Sequence, residues 1–171
     1  MGFFKNKSDE EKLFDAIIYQ KTKKVKSILK KSNKDNKTLD LNIKSMRYYA
    51  FTPFTKAVDK GNIEIAELLI DYANQHQIVL NLDKNDNCSI INAISNNNTE
   101  MVELLVSYAN EHQIILEMNS YYSFTQAVQN NNYRMVKTLI KYANQQHSTI
   151  CSSSTNGIPK PKSILCLFYA I

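Results

Sequence analysis

The chain predicts an all-α fold, a solenoid of about four stacked helix pairs joined by short hairpin-like loops. Three observations predict it. One unit is written three times: FTKAVDKGNIEIAELLIDYANQHQIVLN from Phe54, IINAISNNNTEMVELLVSYANEHQIILE from Ile90, and FTQAVQNNNYRMVKTLIKYANQQHSTIC from Phe124. Ala57, Ala93 and Ala127 are equivalent, spaced 36 and then 34 residues apart. A period of that size marks stacked repeats, none of which can bury its apolar face alone. Within each unit the apolar spacing is helical. Between the two helices of each unit stand Gly61-Asn62, Asn97-Asn98 and Asn131-Asn132. Gly and Asn tolerate the left-handed backbone that ends a helix.

Residues 1–171 read as one domain. Residues 9–31 read as a degenerate first repeat or cap. Ala16, Val25, Ile28 and Leu29 sit at offsets matching Ala57, Ala66, Leu69 and Ile70. Leu13, Phe14 and Ile17 support its first helix, and its Lys-rich face should meet water. Residues 32–40, SNKDNKTLD, read as a polar connection. Repeat 2 spans 41–81, repeat 3 spans 82–116 and repeat 4 spans 117–150. Their first helices are expected from about Pro53 to Lys60, Ser89 to Asn96 and Ser123 to Asn130. Pro53 suits a first turn, where its missing N–H would have no helical partner.

The second helices follow. Ile63, Ile65, Ala66, Leu68, Leu69 and Ile70 share one broad face, with Glu64, Glu67 and Asp71 opposite. Met101, Val102, Leu104, Leu105 and Val106 repeat the pattern, as do Met135, Val136, Leu139 and Ile140. Each helix continues into a Tyr-Ala-Asn triplet at Tyr72, Tyr108 and Tyr142. These tyrosines recur identically, so they read as structural. Short apolar segments, Ile78 to Leu80 and Ile114 to Leu116, should tuck under the helices. Residues 148–163 read as a loop. Ser163 to Ile171, SILCLFYAI, matches the first helix of an incomplete fifth repeat. The segment 151–171 is thus a loop plus a partial repeat or cap.

Composition excludes several classes. Apolar residues make up 43% of the chain, against wholesale disorder. No apolar run approaches the roughly 20 residues that span a bilayer. The start, MGFFKNKSDEEK, lacks the apolar centre of a secretory signal. Asn6 replaces the Ser or Thr expected for myristoylation at Gly2. An intracellular, cytoplasmic location is the expectation. Cys88, Cys151 and Cys166 make no C-x-x-C pair and no disulfide framework. The net charge of +5 is uneven: +7 over residues 1–50, −4 over 51–150 and +2 over 151–171. A basic head could attract a polyanion. With 19 Lys and only two Arg, it has little means of reading bases, so nucleic acid ranks below protein as a partner.

No motif carries catalysis, a cofactor or a metal. His76 and His112 share a repeat position, with His147 one residue beyond it. Stacked repeats lie ~10 Å apart, too far for two such imidazoles to share a zinc at ~2 Å. A polar group opposing a helix C-terminal dipole is the simpler reading. Asp83-Lys84-Asn85-Asp86-Asn87 opens like a calcium loop. Cys88 then replaces the turn glycine, and Ile94 stands where the bidentate Glu belongs. Glycines at 2, 61 and 157 permit no phosphate loop. Glu64/Glu67 and Glu100/Glu103 read as a solvated helix face.

Thr52-Pro53-Phe54-Thr55, Ala57, Gly61-Asn62, Ile65-Ala66 and Leu68-Leu69-Ile70 resemble the ankyrin repeat. They match its T-P-L-H box, the small residue of its first helix, the inter-helix turn, and the V-V-x-L-L-L of its second helix. Cys88-Ser89-Ile90-Ile91 and Tyr122-Ser123-Phe124-Thr125 depart from the box, and the unit is longer than usual. The resemblance covers about residues 50–150. It implies a non-catalytic scaffold that binds a protein through hairpin tips and first-helix surfaces. Carried onto this chain, the tips are Arg47, Tyr48 and Tyr49; Lys84, Asn85 and Asp86; and Asn119, Ser120 and Tyr121. The helix positions are Lys56, Asp59 and Lys60; Asn92, Ser95 and Asn96; and Gln126, Gln129 and Asn130. These positions vary between units while the alanines and Leu69, Leu105 and Leu139 do not, so packing does not dictate them. Tyr48, Tyr49 and Tyr121 are the aromatic anchors. Two further readings stay open: polyanion binding by the Lys-rich head, and an interaction segment of a larger enzyme.

Overall fold

The computed structural model describes residues 7–45, 51–82, 89–116 and 120–153. Among them the fold is all-helical, with eight helices and no strand. The helices form four consecutive pairs: α1 (Asp9–Ile18) with α2 (Thr22–Lys34), α3 (Pro53–Asp59) with α4 (Ile63–Gln75), α5 (Ser89–Ser95) with α6 (Thr99–Glu111), and α7 (Ser120–Gln129) with α8 (Tyr133–Ser153). The first helices pack in a row, α1 on α3, α3 on α5 and α5 on α7. Behind them α2 packs on α4 and α6 on α8. One apolar seam runs without a break from Leu13 to Tyr142.

The same local chemistry builds every pair. After each first helix one residue turns left-handed: Gln20, Gly61, Asn97 and Asn131, with φ of 51°, 65°, 52° and 49°. The N–H two beyond the cap then returns to the carbonyl of the recurring alanine: Lys21 to Ala16, Asn62 to Ala57, Asn98 to Ala93, Asn132 to Ala127. This hydrogen-bonded helix stop satisfies carbonyls that would otherwise be orphaned. The next residue caps the second helix. Asn62, Asn98 and Asn132 side chains accept from the N–H of Ile65, Met101 and Met135 at 3.0, 3.0 and 2.9 Å. Gly61 is the one glycine needed here, and the others manage with Asn or Gln. Thr52 and Ser8 close capping boxes on α3 and α1. Asn98→Ala is expected to cost about 1 kcal/mol, the usual worth of such a cap. Urea unfolding of the two chains measures it.

A second left-handed residue ends α2, α4 and α6, at Asn36, Gln77 and Gln113. It throws the chain into an extended tail. Leu80 and Leu116 are buried there, while Val79 and Ile115 point outward. The first repeat has the same tail. Leu39 and Leu41 are fully buried within and just after the segment read as a polar connection, and α2 itself runs on to Lys34. Its sequence degeneracy therefore hides a complete unit. Lys23, Lys24, Lys26, Lys30 and Lys31 face water.

Two helices differ from expectation. α7 begins at Ser120, three residues before Ser123. α8 has 21 residues against 13 in α4, so 148–153 is helical where a loop was expected. In α4 and α6 the stop is held by Ile78 and Ile114, which pack on the core. Ser148 is the equivalent residue in α8, and the helix runs through it to Ser153.

Candidate functional site

The recurring tyrosines are ties between repeats. Tyr72 Oη accepts from the Leu39 N–H at 3.0 Å, Tyr108 Oη from Leu80 at 2.8 Å, and Tyr142 Oη from Leu116 at 2.8 Å. Each buried phenol thus satisfies a buried amide in the tail of the repeat before it. Ser32 Oγ adds a 2.8 Å contact to Tyr72 Oη. His76 and His112 are the C-terminal caps of α4 and α6. Their rings lie on Tyr72 and Tyr108 with centroids 4.3 and 4.1 Å apart. His76 Nε2 also meets Asn33 Oδ1 at 2.7 Å. His76 and His112 therefore belong to the tyrosine ties, and the His147 side chain lies outside the described part. The described residues hold no cluster of three metal-ligating side chains.

Burial raises the Tyr108 phenol above its ordinary 10.0, while the bond from the Leu80 N–H opposes the rise. The fold thus holds the neutral phenol, and the unfolded chain ionises first. Stability is full below pH 10.0 and falls as pH climbs toward the raised folded value. Denaturant titrations at pH 8 and pH 11 should show that loss, and Tyr108→Phe should show less of it.

A second set of ties crosses the outer surface. Arg134 donates to both oxygens of Glu103 and, at 3.0 Å, to Glu100. The carboxylates raise the already high guanidinium pKa, chiefly through the Glu103 hydrogen bond. Glu100 and Glu103 thus lie on an exposed face as expected, and they also clamp α6 to α8. Between these helices lies an open groove of about 320 Å³ lined by Glu103, Val106, Thr138, Lys141 and neighbours.

The first-helix positions form one register. Lys56, Asn92 and Gln126 occupy equivalent places, as do Asp59, Ser95 and Gln129, and then Lys60, Asn96 and Asn130. Lys60, Ser95, Asn96, Gln129 and Asn130 are exposed; Lys56, Asp59, Asn92 and Gln126 are partly buried. Several are held in place. Lys56 Nζ pairs with Asp59 at 2.7 Å and sits 4.3 Å from the Phe51 ring centroid. Ser95 Oγ donates to the Ile91 carbonyl at 2.8 Å and lies 3.1 Å from Tyr122 Oη. Gln126 donates to Gln129 at 3.3 Å. Arg47, Tyr48, Tyr49, Lys84, Asn85, Asp86 and Asn119 lie outside the described residues. So does the calcium-like segment 83–88. Ser120 and Tyr121 fall in the first turn of α7, with their side chains outside the described part.

Two aromatic residues on this face escaped the sequence reading. Tyr19 is 68% exposed and caps α1, as Lys60 caps α3. It extends the row Lys60, Asn96, Asn130 by one repeat. Its offset of 41 from Lys60, equal to that of Ala16 from Ala57, was the available signal. Tyr122 is 38% exposed beside Ser95. By sequence it stands only as a departure from the T-P-L-H box.

Helix pairs stacked in register, tied repeat to repeat, define a helical-repeat protein. A family model of ankyrin repeats in three copies matches residues 13–117, and the chain belongs to the ankyrin-repeat family. No curated protein matches the chain. Ankyrin repeats are generally protein–protein interaction modules. The fourth pair lies beyond the family match and stacks in the same way. Among the described residues no helix is long and apolar enough to cross a membrane.

Proposed function

We propose that the chain is a non-catalytic scaffold that binds a protein partner across its first-helix face and adjoining hairpin tips. One observation carries this reading. Along a single row of packed helices, the buried alanine recurs while the outward residues change from Asp15 to Lys56, Asn92 and Gln126. Packing demands the constant residue and leaves the changing ones for recognition. Tyr19 and Tyr122 supply aromatic area on the same face, the residue type that most often dominates binding energy.

The experiment is affinity capture with the native chain and with a face variant, Asn96→Arg combined with Gln129→Glu. Both positions are exposed, so the melting temperature should hold. The expected result is a captured protein that the variant loses. Equal capture by both chains contradicts the assignment of the face.

The exposed lysines of α2 favour one competing reading, a polyanion bound by the cap. Its mark is retention on heparin or nucleic acid that falls steeply with salt. The scaffold reading expects the face variant to lose its partner at constant salt.

A further inference from the structure

Equivalent residues report how well each repeat is covered by the next. Ile17, Val58 and Ile94 are 0%, 1% and 0% exposed, yet their counterpart Val128 is 60% exposed. The second helices agree. Ala66 and Val102 are fully buried where Val136 is not, and Ala73 and Ala109 where Ala143 is not. Repeat 4 therefore presents along α7 and α8 the apolar face that every earlier repeat buries against its successor.

The chain itself carries a matching segment outside the described residues. Leu167-Phe168-Tyr169-Ala170-Ile171 repeats Leu13-Phe14-Asp15-Ala16-Ile17 with one change, Tyr for Asp. In α1 those positions are buried at Leu13, Phe14, Ala16 and Ile17. Ala170 thus stands in the register of Ala16, Ala57, Ala93 and Ala127. The reach is sufficient. The nine residues 154–162 can extend about 30 Å. They must recover the roughly 12 Å by which α8 overshoots the length of α4, and cross one packing distance of ~10 Å.

We propose that residues 163–171 dock on this face as a fifth first helix. A helix of this length is marginal alone in water, so its order depends on the surface it covers. Val128 and Ala170 then join the seam that holds Val58 and Ala93.

The test is a double-substitution cycle in the full chain, Val128→Asp and Ala170→Asp, read by thermal melting and sedimentation. Each change alone is expected to lower the melting temperature by about 4 °C or more. Together they should do little more than either, because one charge already undocks the segment. An unchanged melt for Ala170→Asp overturns the proposal. Fully additive losses overturn it as well, since the segment then packs elsewhere. Concentration-dependent association of the native chain that Ala170→Asp leaves intact assigns the face to a second copy, and also overturns it.

Discussion

Leu105→Ala is expected to destabilise the chain by about 2–5 kcal/mol. Leu105 is fully buried in α6, the second helix of an interior repeat with neighbours on both sides. Truncation removes the transfer energy of the lost methylenes and leaves a cavity that the surrounding helices cannot fill without breaking their own register. The loss is a large share of the 5–15 kcal/mol typical of a whole domain. Leu69 and Leu139 are the equivalent residues, also fully buried. Leu139→Ala should cost less than Leu105→Ala, because among the described residues no second helix packs on the outer flank of α8. Urea unfolding compares the three. A cost near that of an exposed substitution, within about 0.5 kcal/mol, contradicts the shared seam.

Tyr108→Phe is expected to cost about 1–3 kcal/mol, although it removes a single oxygen. The ring volume is conserved, so the core should not collapse. What is lost is the acceptor for the Leu80 N–H, and Leu80 is only 1% exposed. An unsatisfied buried donor carries its full desolvation cost. Hydrogen exchange at the Leu80 amide should quicken in step. Tyr133→Phe serves as the control. Tyr133 is 79% exposed, and its change should fall within about 0.5 kcal/mol. Equal effects at the two positions contradict a tie between repeats.

The pairing of helices was legible because three signals coincide in each unit: apolar spacing, the recurring alanine and a turn of Gly or Asn. The tyrosines were legible as structural because they recur unchanged, but their role was not. A hydroxyl that reaches the tail of the preceding repeat leaves no local pattern, and Leu39, Leu80 and Leu116 lie 26 to 33 residues away from their partners. The first repeat looked degenerate because Lys31-Ser32-Asn33 replaces Tyr-Ala-Asn. Ser32 nonetheless fills the alanine's place, and its hydroxyl contacts Tyr72 of the next repeat. The Ser and Thr residues after His147 read as loop by composition, yet α8 runs on to Ser153.

The proposed face was legible only in part. Internal variation singles out Lys60, Asn96 and Asn130, and the register then requires Tyr19 as well. The sequence pattern alone gave Tyr19 no weight, because an aromatic residue at the end of a helix in a cap looks like core. Lys56 shows the opposite case. Its place in the row is as expected, but its charge is held by Asp59 and lies over Phe51. It presents an oriented cation and not a free one.

The central claim is that helix pairs stack in one direction, so that equivalent residues march along a single face. Spin-label distances test it most directly, with all three cysteines replaced by Ser. One label sits at Tyr19→Cys, and its partner in turn at Lys60→Cys, Asn96→Cys and Asn130→Cys. The account expects separations that grow by ~10 Å per repeat, the packing distance of neighbouring helices. Distances that fail to grow, with residue 130 as near to residue 19 as residue 60 is, would show a closed bundle and contradict it.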